Sequence, residues 1–305
     1  VVSHNAKVKI DTTDIERITG AINDIVGKRV MEKFGRGFDI SESLKDVKLK
    51  SNNQELAQYG RGTAFDIPED TRFIRTSSYW SSGVSSFLDN TWNFLDANGK
   101  NVDVCCWNNV KCFNNGAVFS GDALNNNADG IAAQFIDLNI EQLVSSGVRY
   151  ALWSVLSYSH IAFSNFNDAH MGMQFGEDQF SGQVFEASRV QLSLPIEGDG
   201  LSKLIAYVDL VERKLVYLDL NLNMNVSSGE ENDDLLTQTF FPILEHLTSL
   251  PSVYDLLIGA QQEDGIPATY SDAEASINSD TAYIFKRENS LTSVSTLLSM
   301  DDLIS

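Results

Sequence analysis

Residues 88–129 read LDNTWNFLDANGKNVDVCCWNNVKCFNNGAVFSGDALNNNAD. The stretch has an apolar, strand-like pattern that is interrupted by three clusters of carboxylate and amide side chains, at 88–90, 107–109 and 120–130. Asn, Asp and Gly are common in turns because they tolerate left-handed backbone and hydrogen-bond their own main chain. The stretch therefore predicts several short strands joined by tight turns.

The same clusters are candidates for a metal site. Ca²⁺ takes six to eight oxygen ligands in a flexible geometry, and hard oxygen donors at loop tips between buried strands suit it. The alternative interpretation is that these side chains only form turns. Composition and spacing alone favour turns.

Three motifs resemble the core of a known family. Residues 94–100 (FLDANGK), 107–109 (WNN) and 116–122 (GAVFSGD) look like the corresponding motifs of the TerD family of tellurium-resistance and stress proteins. Members of that family are β-sandwiches that bind calcium through their loops. The resemblance covers about residues 59–222, and it implies a sandwich with a calcium site.

The resemblance also implies a set of metal ligands in this chain. The matching positions are Asp89, Asn108, Asn109, Asp122 and Asp129. Three other positions where the family has ligand-type residues are occupied by Phe87, Ala123 and Gly130. A calcium site with fewer charged ligands binds more weakly. We therefore expect weak binding, with a dissociation constant of about 10⁻⁴ to 10⁻³ M.

The pattern beyond the central stretch predicts more strands. They lie at 73–80, 133–138, 148–158, 190–194, 204–210 and 215–220. One helical turn, at 140–143, lies between them, which is too little for the crossovers of a parallel sheet. The chain is therefore predicted to be mainly β, a two-sheet antiparallel β-sandwich (TerD-like) with flanking α-helices. Residues 164–188 suggest a long excursion beside it.

Helices are predicted on both sides of the sandwich. Residues 11–35 carry an apolar stripe at helical spacing: Ile15, Ile18, Ile22, Ile25, Val26, Val30 and Phe34. Such a stripe can bind a partner, but it usually packs into a core, which we favour here. Two further helices are predicted at 233–247 and 252–262. The chain thus divides into a helical arm and connector (1–58), the sandwich (59–222) and a helical, low-complexity extension (223–305).

Composition bounds the function. The chain has 305 residues, 43% of them hydrophobic, and a formal charge of −20. An acidic surface is unfavourable for tracking a nucleic-acid backbone, so no nucleic-acid partner is expected. No apolar run is long enough for a transmembrane segment, and no signal peptide opens the chain given. We expect a cytoplasmic or particle-associated protein.

Catalysis is not expected. The sequence has no G-x-S-x-G or H-E-x-x-H motif, and no clear pair of carboxylates outside the turn clusters. Cys105, Cys106 and Cys112 are too few for a disulfide framework and too close for a four-ligand zinc site. We interpret them as reduced core residues.

Two functions from different classes remain open. The first is a calcium-binding, stress-response protein of the TerD type that works through binding and scaffolding. The second is a structural or assembly component of a larger particle, which reuses the sandwich with a degraded metal site. In either case protein partners or self-assembly are expected through the terminal helices.

Overall fold

The computed structural model describes residues 12–34, 38–50, 59–81, 86–121, 131–178, 190–264 and 283–285. These residues form two compact units. One contains the described residues of 12–49 and 251–285, and the other contains those of 59–250. The divisions near 49 and 250 differ from the positions expected from the sequence, 58 and 222.

The larger unit is a two-sheet antiparallel β-sandwich, which confirms the predicted fold class. Sheet I has the order β11 (Leu192–Pro195), β10 (Asp168–Gly176), β3 (Phe73–Ser81), β8 (Ile131–Asn139), β7 (Ala117–Phe119) and β6 (Lys111–Cys112). Sheet II has the order β2 (Ala64–Asp66), β13 (Lys214–Leu220), β12 (Ser202–Asp209), β9 (Tyr150–Ser157), β4 (Leu88–Leu95) and β5 (Asn101–Cys105). Labels follow the order of the chain, and every neighbouring pair in both sheets is antiparallel.

Two tryptophans occupy the centre of the core between the sheets. The rings of Trp92 and Trp153 are stacked, with centroids 5.6 Å apart and planes 2° from parallel. The indole nitrogen of Trp92 donates to Oγ1 of Thr76 in sheet I at 2.8 Å, and that of Trp153 donates to Oδ1 of Asn90 at 2.8 Å. Both buried N–H groups are therefore satisfied, as large amphipathic rings in a core require.

The outer face of sheet II is covered by helix α3 (Asp233–Thr248), which confirms the helix predicted at 233–247. Leu236 and Phe240 of this helix belong to a second apolar cluster, together with residues of β9, β12 and β13. Because β4 is buried on both faces, its eight residues are all buried. The stretch 225–234, whose Ser, Gly, Glu and Asp content indicated a boundary or exposed linker, contributes Val226 to the same cluster, and Met224 just before it also belongs there.

The excursion predicted at 164–188 is largely wrong. Residues Asp168–Gly176 form β10, which pairs with β3 along its whole length. Met171 and Met173 alternate with polar or small residues and are fully buried, which is the period-two signal of a strand. The glycines at 172 and 176 obscured that signal. Residues 179–188 of the predicted excursion lie outside the described residues. The helical turn predicted at 140–143 is confirmed as α2 (Ile140–Ser145).

The smaller unit is built from two helices and short segments. Helix α1 (Thr12–Phe34) and helix α4 (Val253–Asp264) agree with the predicted helices, and they are accompanied by a 3₁₀ helix, Glu42–Asp46. Strands β1 (Phe38–Ile40) and β14 (Tyr283–Phe285) form a parallel pair. Among the described helices, none combines the length and the apolar character needed to cross a lipid bilayer.

The prediction that the apolar stripe of α1 is core was wrong for its isoleucines. Ile15, Ile18, Ile22 and Ile25 are between 47% and 58% exposed. Val26 does pack against the cluster of Ile40, Leu44, Val47 and Leu257. The side chains of Val30 and Phe34 lie outside the described residues. Helical spacing shows that a face is apolar, but α1 uses a different face against α4, where Asn23 lies against Gly259.

Candidate functional site

The predicted ligands that can be located lie at one end of sheet II. Asp89 is a buried residue near the start of β4, and Asn108 and Asn109 lie in the turn after β5. Asp122 and Asp129 lie outside the described residues. Since Leu88 and Asn90 point into the core between the sheets, Asp89 faces the outer side, together with Thr91 and Asn93.

The turn of residues 106–109 is closed by two backbone hydrogen bonds between Cys106 and Asn109. The side-chain nitrogen Nδ2 of Asn109 stabilises the turn, since it donates to Oδ1 of Asp103 at 3.0 Å and to the carbonyl of Val104 at 2.7 Å. Oδ1 of Asn108 accepts from the Cys106 thiol at 2.8 Å. Both asparagines therefore shape the turn, in agreement with the alternative interpretation of the clusters as turn residues.

Residues 227–233, here called the covering segment, lie on this outer face of sheet II. Gly229 packs so closely on Thr91 that a Cβ atom at position 229 would lie 2.2 Å from Cγ2 of Thr91. The carbonyl of Gly229 accepts from Nδ2 of Asn93 at 3.1 Å. Asp89 lies two residues along β4 from Thr91, or about 7 Å at the usual rise of a strand.

The covering segment also contacts the 106–109 turn. Nδ2 of Asn108 lies 3.4 Å from both Oγ of Ser228 and Oε2 of Glu230. The indole nitrogen of Trp107 donates to the carbonyl of Ser227 at 3.2 Å. The structure thus brings Asn108 and Asp89 to the same part of one sheet face.

A buried asparagine holds the covering segment in shape. Oδ1 of Asn232 accepts from the backbone N–H of Asn225 at 2.6 Å. Nδ2 of Asn232 donates to the carbonyls of Asn225 and Ser228 at 2.9 and 3.1 Å. Because the side chain bonds to backbone on both sides of the bend, residues 225–232 are held against the sheet rather than extending into solvent.

Asp233 is the carboxylate at the centre of this face. Its Oδ1 accepts from Nδ2 of Asn93 at 2.8 Å, and its Oδ2 accepts from Nδ2 of Asn101 at 2.7 Å. Burial raises the pKa of Asp233 above its ordinary value; repulsion from Glu230, Asp103 and Asp234 adds to the increase, and the Asn93 hydrogen bond opposes it. Negative charge is therefore concentrated where the solvent screens it poorly.

Three buried oxygen atoms on this face have no hydrogen-bond partner in the described part of the chain. Two are Oδ1 of Asn93 and Oδ1 of Asn101, whose side chains both donate to Asp233, and the third is Oγ1 of Thr91, which lies under Gly229. Buried polar atoms are nearly always bonded, so such atoms call for an explanation. All three are hard oxygen donors, which together with carboxylates suit Ca²⁺. No three His, Cys, Asp or Glu side chains among the described residues are grouped closely enough to hold a metal.

The sequence did not identify the residues at the centre of this face. These are Asn93, Asn101, Glu230 and Asp233. The run GEENDD at 229–234 belongs to the stretch 225–234, whose Ser, Gly, Glu and Asp content indicated a boundary or exposed linker. An available signal was the pair of amides, Asn93 and Asn101, in otherwise strand-like segments, since buried amides need partners.

A cleft of about 610 Å³ lies beside the covering segment, lined by His160, Ser202 and residues 200–201 and 221–227. Among the described residues that line the cleft, His160 is the only one with a titratable side chain. The hydroxyl of Ser202 donates to the carbonyl of Leu222 and accepts from the N–H of Met224, so it serves the backbone. The lining thus contains no paired acid and base of the kind that catalysis uses.

Comparison with known proteins adds no relative: no protein-family model and no curated protein matches this chain. The outer face of sheet II and the exposed face of α1 carry the features that indicate a function.

Proposed function

We propose that this chain is a non-enzymatic binding and scaffold protein that takes up calcium on the outer face of sheet II, as the TerD resemblance implies. The observation that supports this is the half-buried Asp233 bonded to Asn93 and Asn101, whose buried Oδ1 atoms have no partner among the described residues. A divalent cation satisfies such oxygens, and its positive charge offsets both the burial and the repulsion that raise the pKa of Asp233.

The proposed ligands combine the predicted set with this face. Asp89, Asp122 and Asp129 supply carboxylates in the proposal, and Asn108 or Asn109 supplies an amide oxygen. Asp233 adds a negative charge that interacts with the carboxylate of Glu230. That carboxylate in turn lies 3.4 Å from Nδ2 of Asn108. Since three ligand-type positions of the family are occupied here by Phe87, Ala123 and Gly130, we expect affinity in the range of low-affinity calcium modules, about 10⁻⁴ to 10⁻³ M.

Calorimetric titration of the full chain with calcium tests the proposal. We expect weak binding by the unmodified chain and at least tenfold weaker binding by Asp122→Ala and by Asp233→Asn. Asp70→Asn is the matched control, because Asp70 is exposed in the turn before β3. Binding that survives both substitutions shows that the site is elsewhere. The absence of binding at millimolar calcium shows that the clusters are only turns.

The second candidate function is a structural or assembly component of a larger particle. It is favoured by the four exposed isoleucines of α1, a larger apolar surface than a solitary helix face usually shows to solvent. The mass of the particle in solution, with and without a chelator, separates the two functions. A multimer that persists without calcium favours assembly, and a calcium-dependent multimer connects both functions.

The proposed location is the cytoplasm or a particle assembled there. Cys105, Cys106 and Cys112 are buried free thiols, which supports a reducing compartment. The charge of −20 supports protein partners rather than nucleic acid.

A further inference from the structure

Helix α1 exposes four isoleucines on one face. Ile15, Ile18, Ile22 and Ile25 are 49%, 58%, 47% and 57% exposed. Isoleucine is among the residues most often found fully buried, so four in one row make an apolar patch that favours a partner.

The spacing of these residues is that of a coiled-coil seam. The intervals of three, four and three place them at successive a and d positions of two heptads. The face that α1 uses within its own unit is a different one: Val26 packs on the local apolar cluster and Asn23 lies against Gly259. At about 100° per residue the two faces point about 90° apart around the helix axis, so a second helix can reach the isoleucines.

The charge of α1 fits a second copy of itself. Residues 12–34 contain four acidic and four basic side chains and are neutral, in a chain whose formal charge is −20. Two copies of α1 therefore meet without the repulsion that opposes contact between most other surfaces of two such acidic chains.

The flanking charges select the orientation. In an antiparallel pair, Ile15 lies opposite Ile25 of the second copy, Ile18 lies opposite Ile22, and Asp14 at one g position lies opposite Lys28 at the other. In a parallel pair, Asp14 lies opposite Thr19 of the second copy and therefore meets no positively charged side chain. Asp14 pairs with Arg17 and Lys28 pairs with Asp24 within the helix, and these contacts leave both side chains at the surface.

We propose that a second copy of this chain covers the isoleucine face, with the two α1 helices antiparallel about a twofold axis. The proposal rests on the assembly function proposed above and names its contact. A twofold contact is self-complementary, so each copy gives and receives the same residues. Two heptads make a short seam, and the association is accordingly concentration-dependent.

The experiment measures the mass of the full chain by sedimentation velocity over a wide concentration range. The unmodified chain is expected to pass from monomer to dimer, and Ile18→Asp with Ile22→Asp is expected to weaken dimerisation at least a hundredfold. Both positions are exposed, so the fold should tolerate the change, and circular dichroism checks this. Val211→Asp, an exposed aliphatic residue of the larger unit, is the control and leaves the mass unchanged.

Cysteine cross-linking tests the orientation. A mixture of Ile18→Cys and Ile22→Cys chains is expected to form a disulfide between position 18 of one and 22 of the other under mild oxidation. If disulfides form only between two chains of the same variant, position 18 with 18 or 22 with 22, the helices are parallel and the antiparallel pair is overturned. A multimer unaffected by the aspartate substitutions overturns the role of α1 but leaves the assembly function standing. A chain that stays monomeric at all concentrations overturns both self-association and the contact between two α1 helices. In that case another part of the chain or a different protein covers the isoleucine face.

Discussion

Gly229→Ala tests how the covering segment is seated on sheet II. The backbone of Gly229 has φ −63° and ψ −33°, a conformation that any residue adopts, so an alanine there meets no conformational strain. The obstacle is packing alone, because the new Cβ atom would lie 2.2 Å from Cγ2 and 3.0 Å from Oγ1 of Thr91. Thr91 is fully buried in β4, between β5 and β9, and has little room to move.

The expected cost follows from three contributions. Overpacking a buried contact costs about 1–3 kcal/mol. Lifting the segment also breaks the hydrogen bond from Asn93 to the carbonyl of Gly229, which costs about 1 kcal/mol. The reduced entropy of the unfolded chain offsets about 0.4–1 kcal/mol. The net loss of unfolding free energy is about 1–3.5 kcal/mol, or about 2–14 °C in Tm for a unit of roughly 200 residues.

Urea denaturation followed by tryptophan fluorescence measures the loss. Thr91→Ser removes the Cγ2 methyl group, so the double variant with Gly229→Ala should recover more than half of it. Gly200→Ala is the control, because its Cβ would lie 3.2 Å from the exposed amide of Asn221, and it should change stability by less than about 0.5 kcal/mol. A Gly229→Ala variant as stable as the unmodified chain, or a double variant without recovery, refutes the close packing of the segment.

Two further substitutions test the electrostatics of the sandwich. The pKa of Asp233 is raised in the folded chain, so its ionisation lowers the free energy of unfolding as the pH rises from the ordinary pKa of 3.8 through the raised pKa. In urea titrations at several pH values, Asp233→Asn should flatten this part of the stability profile. A profile identical to that of the unmodified chain contradicts the raised pKa of Asp233. The carboxylate of Asp219 lies 2.6 Å from the ammonium of the buried Lys203. Asp219→Asn should therefore lower the free energy of unfolding by about 2–4 kcal/mol in the same assay. A decrease below about 0.5 kcal/mol would show that the ion pair is dispensable. Asparagine tolerates the left-handed backbone at 219, where φ is 48°, which isolates the effect of charge.

The fold followed from the sequence wherever the periodicity was unambiguous. The strands at 73–80, 133–138 and 204–210 were placed to within two residues because apolar runs end at turn residues. β10 was missed because glycines interrupt its alternation of buried and exposed residues. The face of α1 was misassigned because helical spacing reveals an apolar stripe but not what packs against it.

The candidate site was predictable only in part, for a reason of distance along the chain. Asn108 was identified from its local cluster, but it contacts Glu230, which follows it by 122 residues. Asn93 and Asp233 are separated by 140 residues. Local propensity and spacing carry no information about such pairs, and an acidic run looks the same whether it is solvated or lies on a sheet.

Terbium luminescence most directly tests the claim that the outer face of sheet II holds a cation. Tb³⁺ shares the oxygen preference of Ca²⁺, and Trp107, which donates to Ser227 of the covering segment, is placed to sensitise its emission. The account predicts emission that calcium displaces, that Asp233→Asn greatly weakens and that Trp107→Phe abolishes. Absence of emission from the unmodified chain, or emission unchanged in both variants, would contradict it.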